Sequence, residues 1–273
     1  MRRERVGQVS REPRIDRRMF LATGVALSGM APSLSCGASH AARAAQCTLS
    51  QHGCGRATGY AATNKIVTLG EKTHVAWLDS RDGTFFVRAR SLDRKTGAWS
   101  ATYKVGKAFD NHGGTELVTD SRGYLHVVFF PHHHPFRYRR SLRPNDASQW
   151  TPEVRFGKRC TYSTMAVLPD DTLVLVCRER TDKRWVMNQY TKPADGSWEG
   201  PRTLLHGNAP SGYTRWQTAL ALDAAGKVLH MSFTVYEGSD LFGPQGPGYA
   251  IGYLRSRDGG RSWEQSNGKP VPL

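Results

Sequence analysis

The sequence predicts an all-β fold, a β-propeller of four-stranded antiparallel blades, and three observations carry that prediction. Tryptophans recur at Trp99, Trp150, Trp198 and Trp263, at spacings of 51, 48 and 65 residues that suit a blade-sized repeat. Before each of them stands a pair of strand-forming runs divided by an Asp or Gly turn. Residues 46–273 contain no convincing run of the apolar periodicity that marks a helix.

The C-terminal unit is the clearest. Ser256-Arg257-Asp258-Gly259-Gly260-Arg261-Ser262-Trp263 reads S-x-D-x-G-x-x-W, a hairpin turn in which the Asp accepts backbone amide protons and the Trp packs beneath. Ser91-Leu92-Asp93 leading to Trp99, Ser141 to Trp150 and Thr191 to Trp198 are looser versions. The second strand of each unit is expected at Thr73–Leu78, Tyr124–Phe130, Thr172–Cys177 and Val228–Val235. The turns before them include Leu69-Gly70, Asp120–Gly123, Asp170-Asp171 and Asp223–Gly226. Alternation along these strands is imperfect, as expected where neighbouring blades cover both faces. The long last interval is assigned to an extra loop at Gly238–Gly248, rich in Gly and Pro. Four units are present, and residues 264–273 read as a linker toward a further blade, because a propeller protects its terminal edges by closing the ring. A complete four-bladed ring is the alternative.

Residues 1–45 differ in kind. Arg17-Arg18-Met19-Phe20-Leu21, the weakly apolar Ala22–Leu34 and the small residues of Ala42-Arg43-Ala44 form the three zones of a twin-arginine export signal cleaved near Ala44 or Ala45. The expected location is periplasmic or extracellular. No later apolar run approaches the roughly 18 residues of a membrane span. The leader holds eight of the 38 Lys and Arg and three of the 23 acids, so residues 46–273 keep a net charge of +10. That excess favours a polyanionic partner, and for an exported protein acidic polysaccharide is a better fit than nucleic acid. Of the four cysteines past the leader, Cys47 and Cys54 could close a small loop while Cys160 and Cys177 flank one hairpin; spacing leaves the pairing open.

The chemistry gathers around residues 110–141. Thr115–Val118 and Tyr124–Phe130 read as a hairpin turned by Asp120-Ser121-Arg122-Gly123, which brings His112 close to His132, His133 and His134. Aligning the units on their turns puts Tyr60, His112, Tyr162 and Arg215 at equivalent positions near the start of each innermost strand. The second strands return His132, His133, His134, Arg178 and Tyr236 to the same face. Convergent titratable groups at a concave mouth mark a candidate site. Strand parity decides the details: a three-residue loop between the strands pairs His112 with His132 and Tyr162 with Arg178, and a two-residue loop does not. At most two of the three consecutive histidines can face one way, which argues against a metal site made from all three. No metal or other cofactor is predicted. Arg137, Arg139, Arg140 and Arg143 read as a solvated strand face.

Four segments carry a family resemblance: Asp110-Asn111-His112, Gly123-Tyr124-Leu125-His126-Val127, the His132–Ser141 segment with Pro135 and Tyr138, and Thr161-Tyr162 followed sixteen positions later by Arg178. Through them the chain resembles the BNR-repeat (Asp-box) propeller proteins, especially the propeller-type ulvan lyases that cleave sulfated, uronic-acid-containing algal polysaccharide. The resemblance implies a seven-bladed ring, of which this chain supplies about four blades, and a metal-independent β-elimination. By position, Arg178 would neutralise the uronate carboxylate, His112 and Tyr162 would share the base and acid roles, and His132 would assist. His133, Tyr213, Arg215 and Tyr60 would contact substrate. A noncatalytic carbohydrate-binding propeller, or an inactive fragment, is the competing reading. The sialidase reading suffers because Arg14-Ile15 is followed by Asp16, not Pro, and lies in the leader.

Overall fold

The tryptophan hairpins fold as their sequences direct, and the blades are built onto them. At the C-terminal hairpin Asp258 Oδ1 accepts the Ser262 amide at 2.8 Å and Oδ2 accepts the Ser262 hydroxyl at 2.6 Å, while Ser256 Oγ accepts the Gly260 amide at 2.7 Å. Gly259 and Gly260 adopt φ of 69° and 86°, a left-handed backbone that a side chain would oppose. The Trp263 indole is buried beneath the turn and donates to Gln189 Oε1 of the preceding unit at 2.9 Å.

The computed structural model describes residues 48–58, 63–207, 213–237 and 248–273. Fourteen strands and no helix occur among them. The first sheet runs β1 (Ile66–Leu69), β2 (Lys72–Arg81), β3 (Thr84–Asp93) and β4 (Tyr103–Ala108), antiparallel and in sequence order. A seven-stranded sheet follows, with β5 (Glu116–Thr119), β6 (Leu125–Phe129), β7 (His134–Arg140), β8 (Val154–Val167), β9 (Leu173–Arg180), β10 (Trp185–Lys192) and β11 (Glu199–His206). The third sheet contains β12 (Thr214–Leu222), β13 (Leu229–Glu237) and β14 (Gly248–Ser256).

The expected four-stranded blades are therefore realised with two differences. Strand β8 serves two blades: Val154 to Phe156 pair with β7 as the outer strand of the second, and Thr161 to Val167 pair with β9 as the inner strand of the third. In the fourth blade the outer strand shrinks to the bridge Arg255↔Glu264. Pro270 and Pro272 follow closely and lack the amide protons that a longer ladder requires.

Three apolar clusters lie between successive blades and explain the imperfect alternation. Leu125, Val127 and Phe129 of β6 face Leu78 and Val87 of the first blade, whereas Val128 of the same strand faces Leu175 and Cys177 of the third. Trp150, Trp198 and Trp263 each pack into the cluster shared with the blade before their own. Truncating Trp263, the fully buried one of the three, costs about 3–5 kcal/mol. The inner strands β1, β5, β8 and β12 contact one another in order, which gathers their ends at one place. Cys54, Cys160 and Cys177 are free thiols, and burial raises the pKa of Cys177 well above the ordinary thiol range. No helix among the described residues is long and apolar enough to cross a membrane. The export segment, Cys47, Tyr60 and residues 238–247 of the expected extra loop lie outside the described residues.

Candidate active site

The hairpin β5–β6 positions the first half of the site. Asp120 Oδ1 accepts the Tyr124 amide at 2.8 Å and Gly123 takes φ of 84°, so the turn is tight. Glu116 then lies opposite Val128, and pairing continues past the strands as the Phe130 amide donates to the Gly113 carbonyl at 3.3 Å. That register sets His112 against His132, the pairing expected for the three-residue loop. Their rings stack, with centroids 3.9 Å apart and 20° between planes. Asp110 lies under both: Oδ1 is 3.2 Å from His112 Nδ1 and accepts its amide at 2.7 Å, and Oδ2 is 2.5 Å from His132 Nδ1.

The second half comes from the third blade. Arg178 pairs across the ladder with Thr161, not with Tyr162; one extra residue in β8 makes a bulge between Thr161 and Thr164. Tyr162 occupies that bulge with φ of 56°, and its ring lies 4.6 Å from the Arg178 guanidinium carbon. Trp185 and Tyr213 complete a cage at 4.1 and 5.0 Å. His112 and Tyr162 are 6.4 Å apart between ring centroids, so the imidazole pair and the caged guanidinium adjoin one another.

Strict alternation would put His132 and His134 on one side. The structure instead turns His133 to φ of 62°, and His132 and His133 both join the site, 4.6 Å apart. His134 packs on Phe109 at 4.2 Å. His133 Nε2 accepts from Arg178 Nη2 at 3.4 Å, and its ring meets Trp185 at 5.2 Å. Burial, then the Arg178 charge, push its pKa down to about 4, so it remains a neutral acceptor for the guanidinium. Phe130, His133 and Tyr162 are three non-glycine residues with positive φ at one site, a strain of about 1–3 kcal/mol each.

Arg178 is 1% exposed and pairs with no carboxylate among the described residues. Nη1 reaches the Thr214 carbonyl at 3.5 Å and Nε has no partner. Burial and the neighbouring His132 hold the His112 pKa below its ordinary value, against the pull of Asp110. Burial raises the Asp110 carboxyl, yet the His112 amide and the His132 ring outweigh it and leave it below the usual carboxylate range.

Asp110, His112 and His132 each present a ligand atom within 4.8 Å of the others. With centroids 3.9 Å apart and planes only 20° from parallel, one nearby ion cannot lie in both ring planes, as good nitrogen coordination demands. The trio suits proton sharing better than metal ligation.

Of the residues singled out from sequence, His112, His132, His133, Tyr162, Arg178 and Tyr213 come together. Arg215 does not join them directly: its guanidinium sits over Tyr236 at 5.3 Å, and Tyr236 in turn meets Tyr213 at 6.1 Å. Trp185 and the bridging role of Asp110 were missed. The signal for Trp185 was a tryptophan outside the hairpin repeat; that for Asp110 was a carboxylate two residues before His112. Two roomier clefts, about 670 and 540 Å³, lie elsewhere among the described residues, one beside the Asp258 hairpin and one along Phe156, Glu179 and Thr203.

Comparison with known proteins gives a consistent picture. Residues 72–272 match the family described as BNR repeat-containing. An ulvan lyase of Pseudoalteromonas sp. (strain PLSV) is 24% identical over 149 residues, which cover 45% of this chain and 29% of that protein. A solved polysaccharide lyase, described as an ulvan lyase bound to -[GlcA(1-4)Rha3S]-, superposes with a TM-score of 0.69 at 16% identity, covering 81% of this chain and 57% of the other. An α-L-arabinanase of Penicillium chrysogenum superposes at 0.52 with 10% identity, covering 81% and 70%. The chain thus spans little more than half of the solved lyase, and these structural likenesses establish an all-β propeller fold. With the repeat matched over most of its length, the chain belongs to the BNR repeat-containing family.

Proposed function

We propose that this protein is an exported lyase that breaks uronate-containing acidic polysaccharide by β-elimination. The observation that carries the reading is the caged guanidinium of Arg178. A buried charge without a counter-charge is costly, and an anionic ligand removes that cost. A uronate carboxylate fits, because a guanidinium binds planar carboxylates through paired N–H donors. Tyr213, 40% exposed, is the outermost ring of the cage, and carboxylate entry displaces it.

Neutralising the carboxylate acidifies the C5 hydrogen. A base removes that proton, the electron pair becomes the C4–C5 double bond, the C4–O bond breaks, and the departing oxygen takes a proton from an acid. His112 and Tyr162 divide these two roles beside Arg178, with His132 stacked against His112. A depressed His112 pKa keeps that imidazole unprotonated at neutral pH, the state a base requires.

The first substrate to try is ulvan-like, since the solved relative is described with glucuronate linked to sulfated rhamnose. The charge of +10 past the leader and the twin-arginine leader suit a protein meeting such a polymer outside the cytoplasm. Incubation with ulvan or another glucuronate polymer is expected to release an unsaturated uronate, seen as new ultraviolet absorbance. His112→Ala or Tyr162→Phe is expected to lower the rate by about 10²–10⁴-fold. Folded protein that binds several uronate polymers without generating absorbance would place it among noncatalytic carbohydrate-binding propellers.

A further inference from the structure

We propose that Asp110 is the positioning residue of this site: by accepting the Nδ1 protons of both His112 and His132, one carboxylate holds the two rings in the same tautomer and joins them into a pair carrying a single exchangeable proton. The purpose of that proton rests on the lyase reading above. The arrangement itself does not.

The argument begins with what a carboxylate can do. An ionised Asp is acceptor-only, so an imidazole nitrogen held against it must carry the hydrogen. Asp110 Oδ2 is 2.5 Å from His132 Nδ1 and Oδ1 is 3.2 Å from His112 Nδ1. Both rings are thereby fixed with Nδ1 protonated and Nε2 as the basic nitrogen. Asp110 is itself held, since its Oδ1 also accepts the His112 amide at 2.7 Å. Its carboxyl pKa below the usual range keeps it ionised while the rings titrate.

The stack adds the second constraint. Two imidazolium rings with centroids 3.9 Å apart would repel strongly, and one carboxylate offsets only one of them. Among the described residues, the other groups shown acting on this cluster are cationic or neutral, Tyr162 lying 6.4 Å from His112. Arg56 acts on His112, while His133, 4.6 Å from His132, is tied to the Arg178 guanidinium. A second proton is therefore disfavoured by the stack and by these cationic neighbours. Protonation of either ring suppresses protonation of the other, so the pair holds one proton at a time and His112 keeps a fixed basic Nε2 for its role beside Tyr162.

The test uses histidine nitrogen-15 NMR on the full chain, with His112→Gln and His132→Gln spectra to assign the two rings. Above neutral pH, both are expected to show the Nδ1-protonated pattern, and on acidification the two together are expected to take up one proton before either takes a second. In Asp110→Asn, one of the two acceptor oxygens becomes a donor amide, so at least one ring is expected to lose that pattern. With a lyase substrate, Asp110→Asn is expected to lower kcat by about 10²–10⁴-fold and change KM only a few-fold, by analogy with other misoriented His bases. Asp110→Glu, which keeps two acceptors, is expected to recover the tautomer pattern and part of the rate. Wild-type rings protonated at Nε2, or an unchanged pattern in Asp110→Asn, overturns the proposal. If no uronate polymer is cleaved, the tautomer measurement still decides the role of Asp110. If Asp110→Asn fails to fold, the wild-type spectrum decides it alone.

Discussion

Two Asp–His pairs sit at opposite ends of one hairpin, and their contrast shows what separates a structural histidine from a reactive one. At the turn, His126 Nε2 is 3.2 Å from Asp120 Oδ2 and Nδ1 is 2.7 Å from the Tyr138 hydroxyl, with the His and Asp side chains 3% and 1% exposed. At the open end, His112 and His132 share Asp110, and the three side chains are 20%, 29% and 28% exposed. Residue types and contact distances are nearly the same. The difference lies in accounting for ring nitrogens: the protein satisfies both nitrogens of His126 in a sealed interior, whereas at the open end two rings draw on one carboxylate beside a crevice lined by His112, Gly114 and Tyr162.

That contrast can be broken most sharply by exchanging consequences. His112→Ala is expected to reduce lyase turnover by about 10²–10⁴-fold while moving the thermal midpoint by only a few degrees, since Asp110 at the open end keeps access to water and its remaining donors when the ring is removed. His126→Ala is expected to do the reverse. It removes the hydrogen-bond partner of Asp120 Oδ2 and of the Tyr138 hydroxyl in the interior and costs about 2–4 kcal/mol, read by denaturant unfolding, with turnover per folded molecule retained. Loss of activity from His126→Ala at full folding would erase the distinction.

A smaller effect appears in pH. Burial holds the His126 pKa below its ordinary 6.5, with Asp120 opposing. The unfolded chain then binds the proton more readily than the folded one. The resulting stability is complete above about pH 6.5 and declines as pH falls toward the folded-state pKa. His74, lowered by burial as well, acts in the same direction. Unfolding free energy measured from pH 8 to 5 is expected to decrease, and the slope is expected to shrink in His126→Gln. The smallest effect is expected from Tyr213→Ala, which opens the cage over Arg178: a change of about 2- to 10-fold in KM for a uronate polymer with kcat held within a factor of two.

The repeat was legible because its signals are local. Trp263 and Asp258 lie within eight residues, and one hairpin turn expresses both. The meeting of His112 with His132 was legible for a similar reason, since a turn of known length sets a register and a register sets its partners. Three features were not. Tyr162 reaches Arg178 through an extra residue in β8, and nothing in Cys160-Thr161-Tyr162-Ser163 announces a bulge. His133 joins the site by taking a left-handed backbone that its residue type does not request. Trp185 was overlooked because the cage draws rings from three separate strands or their ends, a convergence that only the packing of the third and fourth blades reveals. Arg215 fell on the wrong partner because equal position in the repeat does not guarantee equal contacts, and here the cross-strand neighbour Tyr236 takes it.

Strand β8 is hydrogen-bonded to β7 at one end and to β9 at the other, with Cys160 paired to both His134 and Glu179. A polypeptide shared in this way cannot leave one blade while remaining ordered in the other. The second and third blades are therefore expected to open as one cooperative unit, with amides of β6 and β9 exchanging their hydrogens at a common rate, whereas amides of β14, on the outer edge of the three-stranded sheet, exchange faster. Tyr162 and Arg178 belong to that unit, and Asp110 and His132 lie on the segments that flank β5 and β6, so their mutual geometry is expected to last until that unit opens.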